Sequence, residues 1–222
     1  MRSIQAENLG KQYGNGETAV HALQGVSFAI EPGEFIAVMG ESGSGKSTLL
    51  SIVGTLNSPS EGRLLVGDVD VYALDSDGRA DFRREALGFV FQAFNLIPYL
   101  TLAENVMLPL ATLKAPKKKK RAMAEEALGR VGLANKAHRL PGQISGGEQE
   151  RVAIARAIVN KPPVLLADEP TGNLDSRNGA EIMKLLAELN HEGVTIVMVT
   201  HSNEYAHHAH RVLKLTDGQL VQ

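Results

Sequence analysis

Three short stretches of this chain place residue types at spacings suited to chemistry on a phosphate. Gly40-Glu41-Ser42-Gly43-Ser44-Gly45-Lys46-Ser47-Thr48 fits the pattern G-x-x-x-x-G-K-[ST] through Gly40, Gly45, Lys46 and Ser47. Glycines let the backbone wrap phosphate oxygens with its N–H groups, and a helix starting there adds its positive dipole end. Lys46 is placed to neutralise the β- and γ-phosphates of a nucleoside triphosphate, and the Ser47 hydroxyl to ligate Mg²⁺. The second stretch is Asp168-Glu169, after the apolar Leu165-Leu166-Ala167. Carboxylates there emerge at a strand's C-terminal end, where open α/β sheets bind ligands. Asp168 suits a metal, directly or through water, and Glu169 suits a general base that polarises water. The third stretch, Ile144-Ser145-Gly146-Gly147-Glu148-Gln149, is Gly-rich and leads into a helical pattern. An ordinary nucleotide pocket has no need of it.

These residues need a scaffold, and the apolar pattern describes one. Residues 35–39 form a short continuous apolar run and 47–53 a helical one, so strand, Gly loop and helix come in the required order. Residues 20–30 read as a strand before the turn Glu31-Pro32-Gly33. Buried-strand runs at 163–167 and 194–199 flank a helical pattern at 180–189. That alternation implies right-handed βαβ units in a mainly parallel sheet. From about 93 to 160 the patterns are helical, over 103–110, 122–131 and 149–159. Strands at 2–8 and 212–220 are expected to form an antiparallel addition. The expected fold is α/β: a P-loop NTPase core with a mainly parallel sheet, an antiparallel β addition from the terminal regions, and an inserted helical subdomain. We expect one domain over 1–222, its core built from 1–92 and 161–222 and its helical subdomain from about 93–160.

Composition narrows the function classes. The 222 residues allow one substantial α/β core, and a formal net charge of −2 gives no overall basic field, so no nucleic-acid partner is expected. There is no cysteine, which excludes disulfides and thiolate metal sites and suits a reducing cytoplasm. Residues Met1 to Glu7 carry an early acid and no apolar core, so no signal peptide is expected. No apolar run approaches the roughly 20 residues that span a bilayer, so a membrane role must come through partners. The run Lys117-Lys118-Lys119-Lys120-Arg121 reads as a solvated helix start, with anionic lipid contact as the other reading. His207, His208 and His210 read as a surface cluster rather than a metal site.

Taken together, the motifs resemble those of the nucleotide-binding subunit of an ABC transporter, in that family's order and over nearly the whole length. Gly40 to Thr48 is similar to the Walker A loop, and Gln92 in Phe89-Val90-Phe91-Gln92 to the Q-loop glutamine. Ser145-Gly146-Gly147-Glu148-Gln149 resembles the signature, with Ile144 and Glu148 in place of the commoner Leu and Gln. Asp168 and Glu169 resemble the Walker B pair, Asn173-Leu174-Asp175 the D-loop, and His201 the switch histidine. Tyr13 sits where the family stacks an aromatic on adenine. Capping is the alternative for His201 and plain packing for Tyr13.

The resemblance implies an ATPase that hydrolyses ATP with Mg²⁺. It makes Glu169, His201, Lys46 and Gln92 catalytic and puts Ser47, Gln92 and Asp168 at the metal. ATP contacts fall to Tyr13, to residues 40–48 (Glu41, Ser42, Gly43, Ser44 and Thr48 included), to Ser145, Gly146 and Gly147, and to Asp175. It also implies a head-to-tail homodimer in which each ATP lies between one Walker A loop and the partner's signature loop. The phosphate-facing work would belong to Ser145 and the N–H groups of Gly146 and Gly147, leaving Glu148 free to turn toward Arg151.

The segments 88–98, 104–110 and 167–175 are similar to the branch serving macrolide efflux, lipoprotein release and antimicrobial-peptide resistance. That branch implies a separate integral-membrane permease, a periplasmic or extracellular accessory protein, and a cytoplasmic location on the inner face of the membrane. Residues 91–100 are either a groove for the permease's coupling helix or packing within the helical subdomain. The other function classes are a non-transport ABC ATPase regulating a membrane or nucleic-acid complex, a small-molecule kinase, and an ATP-dependent recruiter with little turnover.

Overall fold

The apolar runs that are too short for helices form the middle of a sheet. The computed structural model describes residues 3–221, so the first residue of the expected strand at 2–8 lies outside the described residues. In chain order the elements begin with β1 (Ile4–Tyr13), β2 (Val20–Ile30), β3 (Phe35–Met39), α1 (Lys46–Val53), β4 (Glu61–Val66), β5 (Val69–Asp70), α2 (Ser76–Ala86) and β6 (Leu87–Val90). They continue with α3 (Leu102–Met107), α4 (Lys117–Arg130), α5 (Gly146–Ile158), β7 (Val164–Asp168), α6 (Ser176–His191), β8 (Thr195–Val199), α7 (Asn203–Ala206), β9 (Arg211–Thr216) and β10 (Gln219–Val221). The segment 93–160 holds no strand.

The larger sheet has the order β10-β9-β3-β8-β7-β6, and β3 pairs parallel with both β8 and β9. The smaller, antiparallel sheet has the order β2-β1-β4-β5. The expected antiparallel strands at the two ends of the chain therefore lie in different sheets. β1 is central in the small sheet, whereas β9 runs parallel to β3 and only β10 turns back on it. Asp217 and Gly218 form that turn, both with positive φ, as a two-residue hairpin requires. The sequence pattern missed β4 and β5, which are short and pair only with distant or adjacent partners.

Alternation along the central strands divides them between two cores. Phe35, Ala37, Leu165, Ala167, Ile196 and Met198 face the helical side with α3–α6. Ile36, Val38, Val164, Leu166, Val197 and Val199 face α1 and the small sheet. Two-sided burial explains why these strands read as continuous apolar runs. α6 contributes Ile182, Met183, Leu186 and Leu189 to the first core, and α5 contributes Val152, Ile154, Ala155 and Ile158. The helices after residue 93 thus share a core with the sheet.

The connection into α3 is held by Asn105, which is wholly buried. Its Oδ1 accepts from the Ile97 N–H at 2.7 Å, and its Nδ2 donates to the carbonyls of Ile97, Leu100 and Thr101 at 3.1 Å each. One amide therefore satisfies four backbone groups of that connection. Thr101 and Glu104 cap α3 reciprocally.

Candidate active site

β3 ends at Met39 and delivers the glycine loop to the start of α1. Gly43 and Gly45 have φ of +81° and +102°, where side chains are strained. A Cβ on Gly45 would lie 2.3 Å from the Ala22 carbonyl oxygen. Gly45→Ala is therefore expected to cost at least about 1–3 kcal/mol through backbone strain alone. Urea unfolding checks this, and an unchanged midpoint would sink the argument. Gly45 is also the N-cap of α1, and no side chain caps it. The first-turn N–H groups are thus left for an anion. Lys46 Nζ bridges the loop, donating to the carbonyls of Gly40 at 2.8 Å and Glu41 at 2.6 Å.

β7 brings Asp168 beside this loop. Ser47 Oγ donates to Asp168 Oδ1 at 3.4 Å. Burial holds the Asp168 carboxyl above the usual carboxylate range, and the charge of Glu169 pushes the same way, against Ser47 and Lys46. Two hard oxygen donors side by side fit a small divalent cation. Glu169 has a φ of +49°, rare for a residue with a side chain. Its N–H donates to Val199 O at 3.0 Å and its carbonyl accepts from Gly172 at 2.9 Å, which over-determines the strained turn. Glu169 Oε2 lies 2.9 Å from His201 Nδ1 without hydrogen-bond alignment, so that buried oxygen has no hydrogen-bond partner. A buried carboxylate oxygen with spare acceptor capacity is what a base for water needs.

These groups share one cavity of about 480 Å³, lined by Gly40, Glu41, Ser42, Gly43, Gly45, Lys46, Ser47, Thr48, Gln92, Asp168, Glu169 and His201. Ser44 is behind the loop instead. It is buried, its hydroxyl is unpartnered, and its carbonyl accepts from Gly218 at 3.1 Å. Tyr13 is outside the cavity lining and 42% exposed. Lys11 Nζ sits 5.0 Å above its ring, and its hydroxyl accepts from Asn57 Nδ2 at 2.5 Å.

Ser145, Gly146 and Gly147 do not line the cavity either. They open α5 beside the start of α6, where a Cβ on Gly147 would fall 2.3 Å from Asn178 Oδ1. Asp175 is the N-cap of α6, accepting from the Asn178 N–H at 2.9 Å and its Nδ2 at 2.7 Å, and these bonds lower the pKa of its carboxyl. Glu148 does not turn toward Arg151, which pairs with Glu181 at 2.9 Å. It folds back to Ser145 in a capping box and pairs with Lys136. The motif S-x-x-E before an apolar-periodic run signals that box in the sequence itself.

Three positioning contacts escaped the sequence reading. Asn173 Nδ2 donates to the Gln92 carbonyl at 2.7 Å, joining the turn after Glu169 to the Gln92 segment. Arg156 donates to the carbonyls of Phe94 and Asn95 at 2.7 and 2.5 Å, fixing two residues with positive φ. Asn178 links Gly147 to Asp175. No local pattern marks these contacts, because each spans a long stretch of chain or a crowded approach. His210 is structural, its Nδ1 accepting from the Phe35 N–H at 3.1 Å, while Lys117, Lys118 and Lys119 are exposed on α4.

The profile of the ABC transporter family matches residues 23–172. An uncharacterized ABC transporter ATP-binding protein, MJ1508 of Methanocaldococcus jannaschii, is 45% identical over 99% of this chain and 98% of its own. The macrolide export ATP-binding/permease protein MacB of Chlorobium luteolum is 50% identical over 98% of this chain. This chain spans only 33% of that relative and 31% of the one from Burkholderia lata. Among solved structures, the ATP-binding cassette MJ0796, a dimer in a post-hydrolysis state bound to ADP and Pi, superposes with a TM-score of 0.90 at 44% identity. That match covers 99% of this chain and 97% of the other. The family match over residues 23–172 and the shared α/β fold show that the chain belongs to the ABC transporter family and is an ATP-hydrolysing cassette.

Proposed function

We propose that two copies of this chain close around two ATP molecules and power a separate integral-membrane permease of the efflux or lipoprotein-release type. One observation carries the reading: the cavity holds a phosphate loop, an acid pair and His201, but the Ser145 loop opens elsewhere, beside α6. A C2 pairing lets each copy offer that loop to the other's phosphate. Glu169 accepts a proton from the attacking water as its oxygen bonds to the γ-phosphorus and the bond to the ADP oxygen breaks. Lys46, His201 and the partner's Ser145 meet the charge on the γ-phosphate oxygens. Ser47, Gln92 and Asp168 would hold Mg²⁺, which supplies charge neutralisation on the phosphates. Tyr13 remains the proposed adenine contact.

A second cavity, of about 540 Å³, is lined by Leu56, Phe89, Phe91, Pro109 and Thr112 among others. Of residues 91 to 100, Phe91 and Asn95 line this cavity, while Leu96 packs against the helical-side core. We assign this groove to the permease's cytoplasmic helix. Among the described residues no helix is long and apolar enough to cross a membrane, in keeping with a peripheral subunit at the inner membrane face. The MacB relatives' name supports export, and an extracytoplasmic accessory protein belongs to the same proposal.

The test reconstitutes a candidate permease of that type with this chain in nanodiscs. The permease should change ATP turnover several-fold. Leu56→Asp, at a position 53% exposed, should abolish that change while leaving turnover of the free chain within about twofold. An unaltered rate with permease, or full coupling in Leu56→Asp, would refute the assignment.

A further inference from the structure

We infer that Lys136 is a positioning residue for the Ser145 loop: it cancels the charge that Glu148 brings to a loop that must meet the partner's γ-phosphate. This rests on the two-copy reading above. Glu148 lies one helical turn from Ser145, and its side chain is only 16% exposed. Its Oε2 accepts from the Ser145 N–H at 3.0 Å and from Ser145 Oγ at 3.3 Å, and Ser145 Oγ accepts from the Glu148 N–H at 3.3 Å. Its Oε1 is taken by Lys136 Nζ in a close ion pair. Lys136 and the Ser145 bonds hold the carboxyl ionised, well below the usual range.

A capping glutamate stabilises its own helix start, but it also puts a fixed negative charge beside a loop whose ligand is a polyanion. Coulomb repulsion at such short range is poorly screened when the loop is closed against another copy. Lys136 is well placed to remove it. It sits in the turn Ala134–Lys136 after α4, 26% exposed, and pairs with the carboxylate oxygen that Ser145 does not use. It occupies Oε1, while Oε2 accepts from the serine's N–H and hydroxyl. Among the described residues no other ion pair reaches Glu148.

The experiment is ATP-driven dimerisation of the full chain, by light scattering, in a Glu169→Gln background. Lys136→Met keeps the aliphatic stem and should raise the ATP concentration needed for half-dimerisation by about tenfold at low salt, the equivalent of about 1.4 kcal/mol. The defect should persist at high salt to within about threefold, because the closed loop keeps the charges from screening ions. Adding Glu148→Gln should return the midpoint to within about threefold, and Lys136→Arg should stay near the starting value. A Lys136→Met midpoint equal to that of the background overturns the inference. So does a Lys136→Met defect that Glu148→Gln does not relieve. If the Glu169→Gln background itself never dimerises with ATP, the two-copy reading fails first and takes this inference with it.

Discussion

Glu169→Gln is expected to lower ATP turnover by about 10²–10⁴-fold while ATP binding persists. The amide keeps the size of the side chain but cannot take a proton from water. The backbone at this residue has a φ of +49° and is held by Val199 and Gly172, neither of which depends on the side chain. The turn should therefore survive the change, and the loss should be chemical. With cleavage stopped, ATP stays in the cavity and the closed pair of chains should accumulate as a doubling of mass in light scattering at micromolar protein. Turnover at the unmodified rate would show that Glu169 is not the base. A variant that turns over slowly yet stays monomeric with ATP would leave the base in place and remove the homodimer.

Glu150→Gln should raise stability by several kcal/mol above pH 8 and by only about 1 kcal/mol near pH 5. Glu150 is wholly buried on α5 and neither carboxylate oxygen has a hydrogen-bond partner. Burial pushes its pKa from the ordinary 4.5 up to about 8, with Arg156 opposing. The sign follows from the proton count. In the folded chain Glu150 keeps its proton at neutral pH, while in the unfolded chain it loses it above about 4.5. Folded stability therefore falls as pH rises from 4.5 towards 8 and does not recover above that. Glutamine has no proton to lose, so the variant escapes the decline. Urea unfolding of both forms at pH 5 and pH 8.5 measures it, and parallel pH dependences would mean that Glu150 is not held protonated.

Much of the nucleotide half of the site was legible in the sequence, because its chemistry is local. Gly40 to Thr48 folds on itself, and Asp168-Glu169 needs only the strand before it. Strands at 35–39, 164–168 and 195–199 form within a residue of the apolar runs read at 35–39, 163–167 and 194–199, as burial on both faces demands. What stayed hidden depends on long-range approach. Glu148 is the exception: the S-x-x-E box that turns it from Arg151 is local, and only its partner Lys136 comes from outside the helix. Ser44 belongs to the motif by spacing but faces the hairpin at Gly218. β9 runs parallel to β3 because α7 carries the chain across from β8, a connection of four helical residues that leaves almost no periodic trace.

The shared core on the helical side of the sheet bears on modularity. The stretch after residue 93 looks like an accessory slotted into a nucleotide-binding fold, and one could imagine excising it. Its helices nevertheless roof Phe35, Ala37, Leu165, Ala167, Ile196 and Met198, alternate residues of the strands that end at the phosphate loop, at Asp168 and just before His201. Removing the roof would strip much of one face of those strands and leave mainly α6 to cover an apolar sheet. The groove that we assign to a partner lies on the flank of the same roof. A load applied there would pass, through the buried core they share, to the strands that carry the reacting groups.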